Sequence, residues 1–167
     1  TVQRRILDLI DTLRRETGTA VLLVTHDLGV AADRAHRVVV LRHGQVQEAG
    51  ETLQVLRQPH SAYARQLLAD APALSAARTR PAPAVDASPD WAVQVQGLQQ
   101  PFPVPGQREP FKAVDGVGFQ VARGTTHAIV GESGSGKTTT IRALVGLLRP
   151  THGQIRIAGE DVTALRG

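Results

Sequence analysis

Within the first seventeen positions Ile6, Leu9, Ile10 and Leu13 stand at the spacing of one helix face. Arg, Asp and Glu stand between them and Gly18 follows as a stop signal. The spacing predicts an amphipathic helix. From Thr19 to Thr25, TAVLLVT, the pattern changes to a nearly continuous apolar run rich in β-branched residues, as expected of a parallel strand covered on both faces. His26 and Asp27 stand where that strand ends. A helix over about Leu28 to Ala35 and a strand over Arg37 to Leu41 come next. His43-Gly44 then turns the chain into a strand from Gln45 to Glu48, before short helical stretches around Thr52 to Arg57 and Ala62 to Ala69.

Between Asp70 and Asp90 the composition shifts to Ala, Pro, Arg and Ser, which reads as a linker made semi-stiff by its prolines. Strand alternation resumes at Trp91 to Val95, a Pro- and Gly-rich loop covers Pro101 to Pro110, and Ala113 to Val121 reads as another strand. Thr125 to Val130 is a buried strand that runs into a glycine-rich loop, Thr138 to Leu148 continues as a helix, and Gln154 to Ala158 is a last strand. The fold class is therefore α/β, in two incomplete units: residues 1–69 and 91–167, joined by the linker 70–90.

Composition narrows this picture only slightly. A chain of 167 residues without methionine, starting at Thr1, is expected to be a fragment of a longer protein. The absence of cysteine excludes disulfides, thiolate zinc sites and cysteine nucleophiles. No apolar run approaches the roughly 20 residues that a membrane-spanning helix needs, and no signal-peptide pattern opens the chain. The formal net charge of +4 comes from arginines scattered among Asp and Glu rather than interleaved with aromatics. That pattern describes a solvated surface, not a nucleic-acid interface.

The strongest chemistry is GESGSGKT, where Gly131, Gly136, Lys137 and Thr138 match G-x-x-x-x-G-K-[ST] between a predicted strand and a predicted helix. Gly134 and Gly136 allow backbone conformations closed to other residues, so successive amides can point at phosphate oxygens. Lys137 would neutralise the β and γ phosphates of a nucleoside triphosphate, and the Thr138 hydroxyl would hold Mg²⁺. The helix start adds its partial positive charge to the same anion site. Gly131, Glu132, Ser133, Gly134, Ser135, Gly136, Lys137, Thr138 and Thr139 are the candidate binding residues, with ATP as ligand.

GESGSGKTTTIRALVGLLRPTHGQIRIAGED resembles the opening of an ATP-binding cassette (ABC) ATPase domain, with the upstream AVDGVGFQVARG similar to the antiparallel strands before its P-loop. The resemblance covers about Trp91 to Gly167. It implies an aromatic residue that stacks on adenine, and Phe102 in QQPFPV matches that position best, with Phe111 as rival. VLLVTHDLGVAADRAHRVVVLRHGQVQEAG is similar to the other end of such a domain. There a histidine after a short apolar strand contacts the γ-phosphate and positions the attacking water; His26, followed by Asp27, holds that place. EAGETLQVLRQPHSAYARQLLADAP resembles the tail of oligopeptide, dipeptide and nickel importer ATPases, with Pro59, His60, Ser61, Ala62, Tyr63 and Ala64 before Leu67 and Leu68. Ala62 and Ala64 replace the usual Pro and Thr.

The end of such a domain thus precedes its beginning. The resemblance implies two ABC domains in tandem, of which this chain holds the end of the first and the start of the second, so that His26 and Lys137 would serve different ATP sites. The Walker B strand with its catalytic Glu, the signature string and the glutamine loop are absent from the sequence. The expected parent is an ATPase coupled to import, whereas the chain alone binds nucleotide without turnover. Its implied partners are membrane permeases, indirectly a substrate-binding protein, and a second ABC domain in the same chain or in a homodimer. The implied place is the cytoplasmic face of the bacterial inner membrane, as a peripheral protein. The competing expectation, a soluble tandem ATPase on ribosomes or nucleic acid, calls for a long charged linker; this one is short and Ala/Pro-rich.

Overall fold

The computed structural model describes residues 2–70 and 90–164, so the predicted linker lies almost wholly outside the described residues. The elements in order are α1 (Val2–Thr17), β1 (Val21–Val24), α2 (Leu28–Arg34), β2 (Arg37–Arg42), β3 (Gln45–Glu51), α3 (Thr52–Arg57) and α4 (Ala62–Ala69). β4 (Trp91–Phe102), β5 (Phe111–Ala122), β6 (Thr126–Val130), α5 (Lys137–Leu144), β7 (His152–Ile157) and β8 (Glu160–Asp161) follow.

Strands from both stretches share one sheet. Its order is β1-β6-β2-β3, so β6 from the C-terminal stretch lies between two strands of the N-terminal stretch and runs parallel to both. Every residue of β6, THAIV, is buried, which its lack of charge permits. A second, antiparallel sheet, β5-β4-β7-β8, comes from the C-terminal stretch alone.

The two-residue period of β2 and β6 sorts their side chains onto two cores. Val39, Leu41 and Ile129 face the second sheet and pack with Val95, Leu98, Val114, Val117, Val121 and Ile155. Val38, Val40, Ala128 and Val130 face the helices, meeting Leu28, Ala31, Val55, Tyr63 and Ala64. Burying each large aliphatic side chain here contributes about 1.5–3 kcal/mol relative to exposure. Both cores draw on both stretches, so neither stretch has a core of its own on the first sheet.

Some predicted boundaries move, for identifiable reasons. β4 continues through Pro101 and Phe102, where a loop is predicted from sequence. Pro101 pairs only with Lys112 of β5, because pairing with β7 ends at Gln99, so its missing amide interrupts no ladder on that side. α5 stops at Leu144 instead of Leu148: Gly146, at φ 75°, donates its amide to Ala143 O and closes the helix with a left-handed residue. α1 forms as its spacing predicts, yet Ile6, Leu9 and Leu13 lie on the surface. Its buried residues are Asp11 and Arg14. Arg14 donates to Asp11 at 3.0 Å and to the carbonyl of Gly124, so two opposite charges are buried as a pair.

Candidate functional site

The glycine-rich loop leaves the C-terminal end of β6, the most enclosed strand of the sheet, and enters α5 at Gly136. Its glycines are dictated by neighbours as much as by conformation. A Cβ on Gly131 would lie 2.1 Å from Leu41 O; one on Gly136, at φ 98°, would lie 2.4 Å from Ala113 O and 3.0 Å from Gly44 Cα. The loop is therefore wedged between the β2–β3 turn and the start of β5. Gly44 ties the two together, donating its amide to Ser135 O at 2.9 Å and accepting the Asp115 amide at 2.8 Å.

At the helix start, Gly136 has no side chain with which to cap α5. Helix geometry leaves the amides of Lys137, Thr138 and Thr139 without an intrahelical acceptor. An anion placed there meets those donors and the positive end of the helix. Lys137 reaches back over the loop, its Nζ donating to Glu132 O at 2.7 Å, Gly131 O at 2.9 Å and Ser135 Oγ at 3.4 Å. Burial holds its pKa below the ordinary lysine value. Thr138 is exposed on the first turn, so its hydroxyl is open to a ligand. No group of three or more His, Asp or Glu among the described residues could hold a metal. A Mg²⁺ ion would thus depend on Thr138 together with phosphate oxygens and water, a ligand set that suits this ion.

His26 follows β1, whose Val24 is in register with Ile129 of β6, and Thr25 N–H donates to Ile129 O at 3.1 Å. His26 is exposed. Asp27 behind it caps α2, accepting the amides of Gly29 at 2.8 Å and Val30 at 3.1 Å, while Thr25 Oγ1 accepts the Asp27 amide at 2.9 Å. The histidine is thus fixed between a strand end and a capped helix. The sequence expectation places His26 and Lys137 in different sites. The structure puts His26 and the loop at the same end of one sheet, on adjacent parallel strands, because β6 pairs directly with β1.

Phe102 and Phe111 are paired directly across β4 and β5, and at 39% and 52% exposure both are open to a ligand. Phe111 precedes by two residues Ala113, whose carbonyl abuts Gly136, so this end of the second sheet adjoins the phosphate cradle. Sequence reasoning gave no part in the loop to Gly44, read only as a turn residue, or to Tyr63, read only within the tail resemblance. Gly44 lies in a tight turn at φ 75° after His43 at φ 48°. The contacts of Glu48 and Tyr63 were not legible, since their partners are distant in sequence. Glu48 accepts the amides of His60 at 2.9 Å and Ser61 at 3.0 Å. Burial alone would raise the pKa of Glu48, but these bonds hold it below the ordinary carboxylate value. Tyr63 Oη accepts the Glu132 amide at 3.3 Å.

A buried parallel strand, a glycine-rich anion cradle and a lysine at the following helix define a P-loop nucleotide-binding fold. Residues 114–166 match the ABC transporter family. Over the whole of its length the chain is 35% identical to the glutathione import ATP-binding protein GsiA of Pectobacterium atrosepticum. It is also 35% identical over 99% of its length to GsiA of Escherichia coli K12. To the peptidoglycan transport ATP-binding protein YejF of Agrobacterium fabrum it is 37% identical over 97%. The chain covers 31%, 30% and 29% of these relatives in turn, so it spans under a third of their length. A nucleotide-free ATP-binding cassette of an ABC transporter superposes on 46% of the chain and 28% of its own, at 29% identity and a TM-score of 0.41. The chain is thus similar in sequence to the ABC transporter family and to ATP-binding proteins named for import and transport.

Proposed function

We propose that the chain is a nucleotide-binding part of a tandem ABC ATPase that couples ATP to import, with cargo of the peptide class. The observation that carries the binding function is the wedged loop between buried β6 and α5, with Lys137 at its head and His26 on the neighbouring strand end. In this reading the cradle amides and Lys137 bind the phosphates of ATP, Thr138 contributes one ligand to Mg²⁺, and Phe102, with Phe111 beside it, stacks on adenine. His26 lies against the γ-phosphate. Bound Mg²⁺ would neutralise charge developing on the phosphates. Among the described residues His26 is the candidate to orient water, and hydrolysis needs the Walker B strand with its catalytic Glu, which the sequence lacks.

The tandem order is supported by the relatives, which match residues from both stretches within one protein. If the stretches 1–69 and 91–167 are the end of one cassette and the start of the next, each carries the complement that the other lacks, and their interleaving follows from the shared fold. Names that speak of import and transport weigh against a ribosome-bound ATPase. Partners would be membrane permeases and, through them, a substrate-binding protein, at the cytoplasmic face of the inner membrane. No helix among the described residues is long and apolar enough to cross a membrane, in keeping with a peripheral position.

Calorimetric titration of the 167-residue chain with MgATP tests the binding function. Saturable binding that Lys137→Ala weakens by at least tenfold is the expected result; equal affinity in both proteins contradicts it. Lys137-dependent turnover by the purified chain would overturn the statement that it binds without hydrolysing.

A further inference from the structure

We propose that Tyr63 is a positioning residue for the phosphate-binding loop, its hydroxyl holding the Glu132 amide so that the loop keeps its course when Lys137 engages a phosphate. The proposal rests on the reading of this loop as a nucleotide cradle. Glu132 is the first residue beyond the close contact at Gly131, and its peptide groups are held from two sides. Lys137 Nζ takes its carbonyl at 2.7 Å and Tyr63 Oη accepts its amide at 3.3 Å. The lysine cannot stay. To reach a phosphate its ammonium has to release backbone oxygens, because the same three hydrogens cannot serve both. The tyrosine then remains as the tie on Glu132.

Tyr63 is itself firmly placed. It is 5% exposed, its ring packs among Val40, Ala64, Ala128 and Val130, and the Arg42 guanidinium lies 4.7 Å from the ring centroid. The helix that carries it is pinned at its first turn. Glu48 takes the amides of His60 and Ser61, and Ser61 Oγ caps α4 by accepting the Ala64 amide at 2.9 Å. A continuous path thus runs from β3 through the start of α4 to the loop. It makes the segment after the hairpin part of the nucleotide site's support.

Tyr63→Phe removes the hydroxyl while keeping the buried ring and the Arg42 contact, so it separates positioning from packing. Amide hydrogen exchange on the chain without nucleotide and calorimetry with MgATP are the measurements. In the variant, Glu132 is expected to exchange about tenfold faster, with Val130 unchanged. MgATP should bind three- to tenfold more weakly and the melting temperature should fall only slightly, as loss of one neutral hydrogen bond implies. Unchanged exchange at Glu132 overturns the proposal. So does a fall in melting temperature as large as that of Tyr63→Ala, which would make the effect one of packing. If the unaltered chain binds no MgATP, the nucleotide reading fails, whereas the exchange rate of Glu132 still decides whether Tyr63 holds the loop.

Discussion

Thr25 donates its amide to the carbonyl of Ile129 at 3.1 Å, one residue before His26 on one strand and two before Gly131 on the other. This bond joins the histidine end of the N-terminal stretch to the strand that launches the phosphate loop. It also shows how little of the first sheet belongs to either stretch alone, since β6 contributes side chains to both cores.

A single cooperative unfolding transition follows. The sole tryptophan, Trp91, reports on the C-terminal stretch, while four of the five helices among the described residues lie in the N-terminal one and dominate far-ultraviolet dichroism. Urea curves from the two signals should coincide, and Ile129→Ala, which empties a fully buried position, should shift both by about 2–5 kcal/mol. Two separated midpoints would show that the stretches fold apart.

Gly136 and Gly134 should respond differently to alanine. Both have positive φ, at 98° and 78°, but a Cβ on Gly134 meets nothing within 4 Å while one on Gly136 strikes Ala113 O. Gly134→Ala should cost about 1 kcal/mol from backbone strain alone, whereas Gly136→Ala should cost more than about 3 kcal/mol and abolish MgATP binding. Urea denaturation with parallel titration measures both. Equal destabilisation would mean that the loop yields at Gly136.

His127 predicts a pH dependence. Its ring is buried, Nδ1 has no hydrogen-bond partner, and its pKa is pushed down to about 4 by burial, then by the charges of Arg37 and His36. The histidine is neutral when folded and takes up a proton more readily when unfolded. Its stabilising contribution is therefore full above about pH 6.5 and is lost as pH falls towards about 4. Between about pH 7.5 and pH 5 this group alone should remove about 2 kcal/mol of stability. His127→Leu should flatten that slope in urea curves at the two pH values; an unchanged slope would show that other groups carry it.

How much of this was legible in the sequence depended on the range of the interaction. The loop could be read because Gly131, Gly136 and Lys137 stand in fixed spacing after an apolar strand. Helices α3 and α4 fall on their predicted residues because periodicity, with the Ser61 cap on α4, acts over a few positions. The end of α5 was missed because Gly146 sits inside an otherwise apolar stretch, and β8 because two residues carry no period. The assignment of His26 and Lys137 to separate sites came from chain order. The pairing of Val24 with Ile129 is set by complementary apolar faces across more than a hundred residues, and no local pattern displays it. The same holds for Tyr63 and Glu132.

The central proposal, that His26 and the phosphate loop serve one site in this chain, is tested most directly by following the His26 ring resonances during MgATP titration. The account predicts that they shift in step with the Gly136 amide, at the same midpoint, and more weakly with MgADP, which lacks the γ-phosphate. Both responses should vanish in Lys137→Ala. Saturation of the Gly136 amide with the His26 ring signals unmoved would contradict it.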